Sequence, residues 1–323
     1  MPHSIRIHET GGPEKLQWEE VEAGLPGPGE VLVRNTAVGL NFIDTYHRSG
    51  LYPMPLPLTL GMEGAGIVEK LGEKVTEFKI GDRVAYCNPI GAYAQLLLRP
   101  ADRLVKIPAG IDDQTAAAII LKGMTAWYLI RRTHRVKKGE TILVHAAAGG
   151  VGQIACQWAA HLGATVIGSV GSNEKVAAAK KAGCKHVIVT SREKLAGRVK
   201  ALTKGAGLPV VYDGVGKDTF MDSLDCLAPL GLMVSYGNAS GAVPPFNPGI
   251  LSQKGSLFLT RPTLFHYVAR REDLLAAARD LFAVVKSGAV RININQTYPL
   301  REAAQAHRDL EARKTTGSTV LLP

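Results

Sequence analysis

Cysteine is scarce and scattered. The 323 residues hold four, Cys87, Cys156, Cys184 and Cys226, with no Cys-x-x-Cys pair, which excludes a disulfide-stapled scaffold and a cysteine-based zinc lobe. Aromatics reach only 6%, a poor match to an aromatic-rich binding module. The stretch Met1 to Pro13 lacks the apolar core of a signal peptide, so the cytosol is the expected setting. No hydrophobic run suits a bilayer either. Thr141 to Asn173 contains no Asp, Glu, Lys or Arg, yet Gly149, Gly150, Gly152, Gln153, Gln157 and His161 interrupt it, and a spanning helix needs about 20 mostly apolar residues in a row. What the chain does have is 35 glycines, an apolar fraction of 46% and a net charge of +10. The length exceeds what one core usually supports, which predicts two lobes. The charge favours an anionic partner, with a phosphate-bearing cofactor, nucleic acid and an acidic membrane surface all compatible on charge alone.

Texture divides the chain. Short strands punctuated by Gly and Pro are expected at Ser4–Ile7, Glu30–Ala37, Gly64–Lys70 and Asp82–Ala85, with Val31 and Val33 alternating against Leu32 and Arg34. Pro53, Pro55 and Pro57 stiffen a loop. From about Asp112 helix and strand alternate: strands at Thr141–His145, Ala164–Ile167, His186–Val189, Pro209–Tyr212 and Leu232–Ser235, and helices at Gly150–Leu162, Asn173–Ala182, Glu193–Leu202 and Lys217–Leu227. Gly163 and Gly183 supply helix stops and Ser172 an N-cap. Strand, crossover helix and parallel strand make the doubly wound α/β plan. After Arg261–Pro262 an amphipathic helix carries Leu274, Leu275, Ala278, Leu281, Phe282 and Val285, followed by a helix at Arg301–Arg313 and a strand at Ser318–Leu322. The last segments therefore return to the first, β-rich lobe.

The sharpest chemical signal runs from His145 to Gly152. Ala147, Gly149 and Gly152 hold the first, third and sixth positions of the dinucleotide fingerprint, between a strand and a helix. Small residues there permit a tight turn, let backbone N–H groups approach a pyrophosphate and let the helix sit close to the sheet. A site for NAD usually places an acidic residue about 20 positions later to hold the ribose 2′-hydroxyl. Here Gly168 to Ser172 carries no carboxylate, and Lys175 follows. A 2′-phosphate fits that setting, so NADP is the expected cofactor. A catalytic zinc needs three converging ligands. His3, His8 and His47 are scattered, and neither Gly61-Met-Glu63 nor Asn41-Phe-Ile-Asp44 forms part of a Cys/His set; no metal is expected.

The runs Asn41 to Pro53, Gly61-Met-Glu-Gly-Ala-Gly66, Gly81-Asp-Arg-Val84, Leu121-Lys-Gly-Met-Thr125 and His145 to Gly152 together resemble the zeta-crystallin-like quinone oxidoreductases. So do Tyr212 to Gly216, Gly231 to Asn238 and Lys254 to Leu257, which makes the likeness end to end. These enzymes form a zinc-free branch of the medium-chain dehydrogenase/reductase superfamily. The resemblance implies a GroES-like β-rich catalytic domain from residues 1–122 and 263–323, and an inserted Rossmann domain from 123–262, with a cleft where nicotinamide meets substrate. By motif, Phe42, Ile43, Asp44 and Thr45, with Thr125 and Tyr128, would flank the nicotinamide half. Gly149, Gly150, Val151 and Gly152 would hold the pyrophosphate. Ser172, Lys175 and Arg313 would hold the adenosine phosphate, with Thr190 where relatives carry a Tyr. Val215, Gly237, Asn238 and Ser240 would line the groove.

The implied reaction passes a hydride from NADPH to a quinone without metal. Asn41, Tyr46 and Tyr52 are the candidate positioners or donors at the developing phenolate oxygen. Reduction of an activated C=C bond in an enone or alkenal fits the same cofactor logic. An RNA-binding or structural role is the rival from another class. It is disfavoured because the positive charge reads as dispersed and no RNA-binding motif is present. A homodimer is the family-level expectation, with Ser256–Thr260 as a strand able to pair across a two-fold axis.

Overall fold

The computed structural model describes residues 1–323 as two compact units. The first comprises Met1–Met124, Val268–Lys286 and Ile292–Pro323. Its main sheet runs Ile294–Pro299, Ser318–Leu322, Glu30–Leu40, Glu63–Leu71, Arg83–Tyr86 and Val105–Lys106 in spatial order, with Leu96–Pro100 pairing off Glu30–Leu40. All these pairs are antiparallel except that of Ile294–Pro299 with Ser318–Leu322. The chain's last strand thus lies against one of its first, with Thr319 opposite Leu40. A smaller sheet joins Gln17–Glu20, His3–Ile7 and Leu58–Thr59. The core gathers Ile5, Val31, Val33, Val38, Leu60, Tyr93, Leu104 and Leu321. Leu32, expected on the outer face with Arg34, is buried too; it lies opposite Leu98 of the added strand Leu96–Pro100.

Sequence periodicity does not announce the helix Phe42–Ser49. Its buried residues are Asp44, Thr45, Tyr46, His47 and Arg48, so no apolar stripe marks it. Gly50 closes it at φ +82°. The expected apolar helix is present as Asp113–Tyr128. Its Gly123 admits close packing by the helix Arg271–Lys286, since a Cβ there would stand 2.7 Å from Leu281 Cδ2.

The second unit, Thr125–Tyr267 with Ser287–Arg291, is a six-stranded sheet. Its order is His186–Val189, Thr165–Val170, Thr141–Val144, Leu208–Asp213, Leu227–Ser235 and Phe258–Thr260, parallel throughout. Leu143, Ile167, Ile188, Val211 and Met233 pack with Leu195, Val199, Phe220 and Leu224 of the crossover helices. Those helices are shorter than expected. Asn173–Ala182 resolves into a 3-10 turn, Asn173–Lys175, and a helix, Val176–Lys181, while Lys217–Leu227 contracts to Phe220–Asp225. Ser287–Arg291 joins this unit through Gln157, whose side chain donates to Arg291 O at 3.0 Å and accepts from Arg291 N at 2.9 Å.

The charge is not dispersed. The second unit carries eighteen Lys and Arg against seven Asp and Glu, the first twenty against twenty-one. The whole positive excess therefore belongs to the unit with the glycine loop, which favours anion capture there.

Candidate active site

In a parallel sheet the loops after every strand emerge at one edge. Thr141–Val144 is central, and its neighbours Thr165–Val170 and Leu208–Asp213 lead away in opposite directions. That is the switch point at which open α/β sheets bind ligands. The strand Thr141–Val144 runs into His145–Gly149 and then the helix Gly150–His161, with Gly149 as N-cap. Ala146 turns at φ +49°, Ala147 N donates to Ser169 O at 3.0 Å and Gly149 N to Ala146 O at 2.8 Å. A Cβ on Gly152 would run into the carbonyl of Ala146 and stand 2.9 Å from Ala147 Cα. Gly152 therefore sets how closely helix and loop approach. Gly149 is different: the nearest atom to its Cβ would be Ala146 O at 3.2 Å. Gly150 and Val151 are half-buried in the first helical turn, where backbone N–H groups have no intrahelical partner.

His145 anchors this loop from beneath. Asp213 accepts from Ser223 Oγ at 2.9 Å and Thr219 Oγ1 at 2.7 Å, and its other oxygen takes Val215 N at 2.8 Å and Gly216 N at 3.1 Å. A carboxylate only accepts, so Ser223 donates to it and must itself accept from His145 Nε2 at 2.9 Å. Nδ1 then accepts from Ser169 Oγ at 2.7 Å. Burial lowers the His145 pKa and keeps the ring neutral. Three strand ends are thereby tied together. Sequence reasoning missed this network because Asp213, Ser223 and Ser169 become neighbours only through the sheet order.

Val215, Gly237, Asn238 and Ser240 come together in the two adjoining loops. Val215 O accepts from Ser240 N at 2.8 Å and Ser240 Oγ at 2.9 Å. A Cβ on Gly237 would lie 2.9 Å from Gly214 Cα, so these loops need glycine to meet. Beyond the second strand, Ser172 caps the turn that holds Lys175. Glu174, two residues past the carboxylate-free stretch, is fully exposed, and a hydrogen bond from Ser172, with Arg192 and Lys175 nearby, lowers its pKa. Arg192 was not singled out from the sequence. It follows Thr190, which is exposed and bonds its own hydroxyl to Val170 O at 3.3 Å.

Several expected roles change. Tyr128 is buried at 2% exposure and stacks on Tyr267, centroids 4.5 Å apart, so its ring face is taken within the second unit rather than open to a cofactor. Thr125 stays half-buried. In the first unit, the Asn41 amide donates to Glu63 Oε1 at 2.9 Å and to Gly39 O at 3.4 Å, so its hydrogens are engaged within the protein. The Asp44 side chain is fully buried and accepts from Asn41 N at 2.9 Å and Tyr93 Oη at 3.0 Å. Thr45 spends its hydroxyl on Phe42 O at 2.7 Å. Phe42 and Ile43 are partly exposed. Tyr46 and Tyr52 do come together, edge to face at 5.2 Å. Arg313 is exposed at φ +58°, just beyond the helix Ala303–Glu311 of the first unit. No group of three or more His, Cys, Asp or Glu is placed to hold a metal ion, and no helix is long and apolar enough to cross a membrane.

Comparison with known proteins agrees with this architecture. Residues 27–109 match the alcohol dehydrogenase GroES-like domain and residues 150–282 the zinc-binding dehydrogenase family. A quinone oxidoreductase of Pseudomonas aeruginosa is 56% identical over 100% of both chains. The crystal structure of Escherichia coli quinone oxidoreductase complexed with NADPH has a TM-score of 0.98 at 50% identity, covering 99% of this chain and 100% of that one. A 2-haloacrylate reductase of Burkholderia is 49% identical over 98% of both chains.

Proposed function

The chain belongs to the quinone oxidoreductase family of medium-chain dehydrogenases/reductases, and from that membership we propose that it reduces quinones with NADPH. The supporting observation is the close-packed glycine loop at the switch point, within a unit that holds the entire positive excess. When bound, NADPH supplies the hydride. Backbone N–H groups of Gly149 to Gly152 would hold the pyrophosphate. Ser172 and Lys175 would hold the 2′-phosphate, with Arg192 drawn to the same spot, since all three already surround one carboxylate, Glu174. Tyr46 and Tyr52 are the remaining candidates for orienting the acceptor and donating to its developing oxyanion, now that the Asn41 amide is committed to Glu63.

A second reading, reduction of an activated C=C bond, has support from the 2-haloacrylate reductase relative. Steady-state kinetics with NADPH and either a naphthoquinone or an enone decide between them: higher kcat/KM on the quinone is expected, and a clear preference for the enone overturns it. The same membership supports a cytosolic homodimer. Phe258–Thr260 is the sheet's edge strand and Phe258 is 60% exposed, features suited to pairing. A sedimentation mass of one chain would refute the dimer.

A further inference from the structure

The first unit buries two carboxylates and one ammonium around the start of the helix Phe42–Ser49. Glu63 pairs with Lys122, their side chains 0% and 6% exposed. Glu63 also accepts from Asn41 Nδ2 at 2.9 Å and Leu121 N at 2.7 Å. Arg48, on the same helix, is spent on Glu311, which it meets at 2.7 and 3.1 Å. Asp44 is completely buried, and Lys122, the cation that faces it, is already paired with Glu63. Its Oδ2 accepts from Asn41 N and Tyr93 Oη, whereas its Oδ1 has no hydrogen-bond partner.

The donors in this cluster can be ordered. A guanidinium donates and never accepts, so Arg48 Nη1, 2.9 Å from His307 Nδ1, forces Nδ1 to be the acceptor and places the ring hydrogen on Nε2. Nε2 lies 3.0 Å from Tyr93 Oη and donates to it. The Tyr93 hydrogen then goes to Asp44 Oδ2 at 3.0 Å. With two donors already on Oδ2, any proton carried by Asp44 sits on Oδ1.

We propose that Asp44 is a buried carboxylic acid with its proton on Oδ1, and that the one-way chain from Arg48 through His307 and Tyr93 fixes this acid and so positions the helix Phe42–Ser49, with Tyr46, for reaction. The positioning half rests on Tyr46 serving the acceptor. Burial pushes the Asp44 carboxyl up to about 7. Burial and the adjacent Arg48 hold His307 down to about 3, which keeps it neutral, and burial raises the Tyr93 hydroxyl so that it retains its hydrogen. The groups facing Asp44 are Glu63 from the strand Glu63–Leu71, Lys122 from the helix Asp113–Tyr128, and Tyr93 just before the strand Leu96–Pro100. Behind Tyr93 stand His307 and Arg48. A helix N-terminus favours an anion at the Asp44 position, but loss of water beside an already paired Glu63 opposes it more strongly. Ionisation would set a second carboxylate against Glu63 and pull Lys122 between two partners, loosening the helix start.

Two measurements test this. Denaturant unfolding of the wild type and Asp44→Asn from pH 4 to pH 9 reads the acid without reference to catalysis. A raised carboxyl pKa makes the native state bind more protons, so wild-type stability should fall as pH rises from the ordinary carboxyl range to about 7 and flatten above. Asp44→Asn should lack that component; an identical pH dependence in both proteins refutes the acid. The kinetic measurement is kcat/KM for quinone at saturating NADPH. The wild type should decline about tenfold per pH unit above a break near neutrality, and Asp44→Asn should show no such break. Tyr93→Phe removes a donor that favours the anion, and should move the break to higher pH. A break that survives in Asp44→Asn, or stays in place in Tyr93→Phe, refutes the positioning role. A wild type inactive on quinone and enone alike refutes the functional reading and the positioning role together, and the unfolding result then decides the acid alone.

Discussion

Ala substitutions at the two glycines of the fingerprint should fail in different ways. At Gly152 an added Cβ meets backbone, with Ala147 Cα and Ala146 C both 2.9 Å away, and backbone cannot rotate aside as a side chain can. Overpacking of this kind costs about 1–3 kcal/mol, while alanine's helix preference returns up to about 1 kcal/mol. The net is roughly 1–2 kcal/mol, which at about 2.1 cal/mol/K of unfolding entropy per residue lowers Tm by about 1.5–3 °C for a chain of 323 residues. Because the displaced loop is the one we propose for the pyrophosphate, NADPH affinity should also fall, by about five- to thirtyfold. At Gly149 the nearest atom to the new Cβ is Ala146 O at 3.2 Å, a tight contact that a shift of a few tenths of an ångström relieves, so the unliganded Tm should fall less than in Gly152→Ala. The methyl group there would project where phosphate must approach, and NADPH should bind at least about tenfold more weakly. Thermal unfolding without ligand, paired with fluorescence titration by NADPH, separates the two. Wild-type Tm in Gly152→Ala, or wild-type NADPH affinity in Gly149→Ala, would refute the assignment of packing to one and phosphate approach to the other.

Lys175→Glu should raise KM for NADPH by roughly ten- to a hundredfold, the worth of a charge-assisted contact, and leave KM for the quinone within about threefold; unchanged NADPH dependence contradicts the phosphate role. Tyr46→Phe should lower kcat by about three- to tenfold, because one neutral hydrogen bond is lost and no obligatory base is removed. Ser223→Ala leaves His145 Nε2 and Asp213 each short of a partner in a buried site, and should cost about 1–3 kcal/mol in denaturant unfolding. His307 has its pKa depressed to about 3 by burial and Arg48, so the stability it contributes is complete above its ordinary value near 6.5 and is lost as pH falls towards 3. Acid unfolding of His307→Gln should be correspondingly less steep, which a pH titration of circular dichroism checks.

Those features of the fold that depend on periodicity were legible in the sequence. His186–Val189 and Ser318–Leu322 run as expected, and the amphipathic stretch around Leu274 to Val285 is the helix Arg271–Lys286. The fingerprint was legible because its small residues fix local geometry. Features whose driving force is polar were not. The helix Phe42–Ser49 buries Asp44 and Arg48 in place of an apolar stripe, and its charges are reconciled by Glu63, Lys122, Tyr93 and His307, which are distant in sequence. Asn41 and Asp44 are expected from motif at the substrate and the nicotinamide, whereas their side chains bond within the protein, Asn41 to Glu63 and Asp44 to the backbone at the helix start. Arg192 has no motif around it. Only its charge near Glu174, where Ser172 and Lys175 also lie, brings it to the proposed phosphate site.

The stretch Gly168 to Ser172 at the end of the second strand carries no carboxylate, and we propose that there, with Lys175, a phosphate on the adenosine ribose is received. Titration of the metal-free protein with NADPH and with NADH under one buffer condition addresses it most directly. Binding of NADPH at least about tenfold tighter, with the difference shrinking as salt is raised, is the predicted result; equal affinities, or tighter NADH, would contradict it.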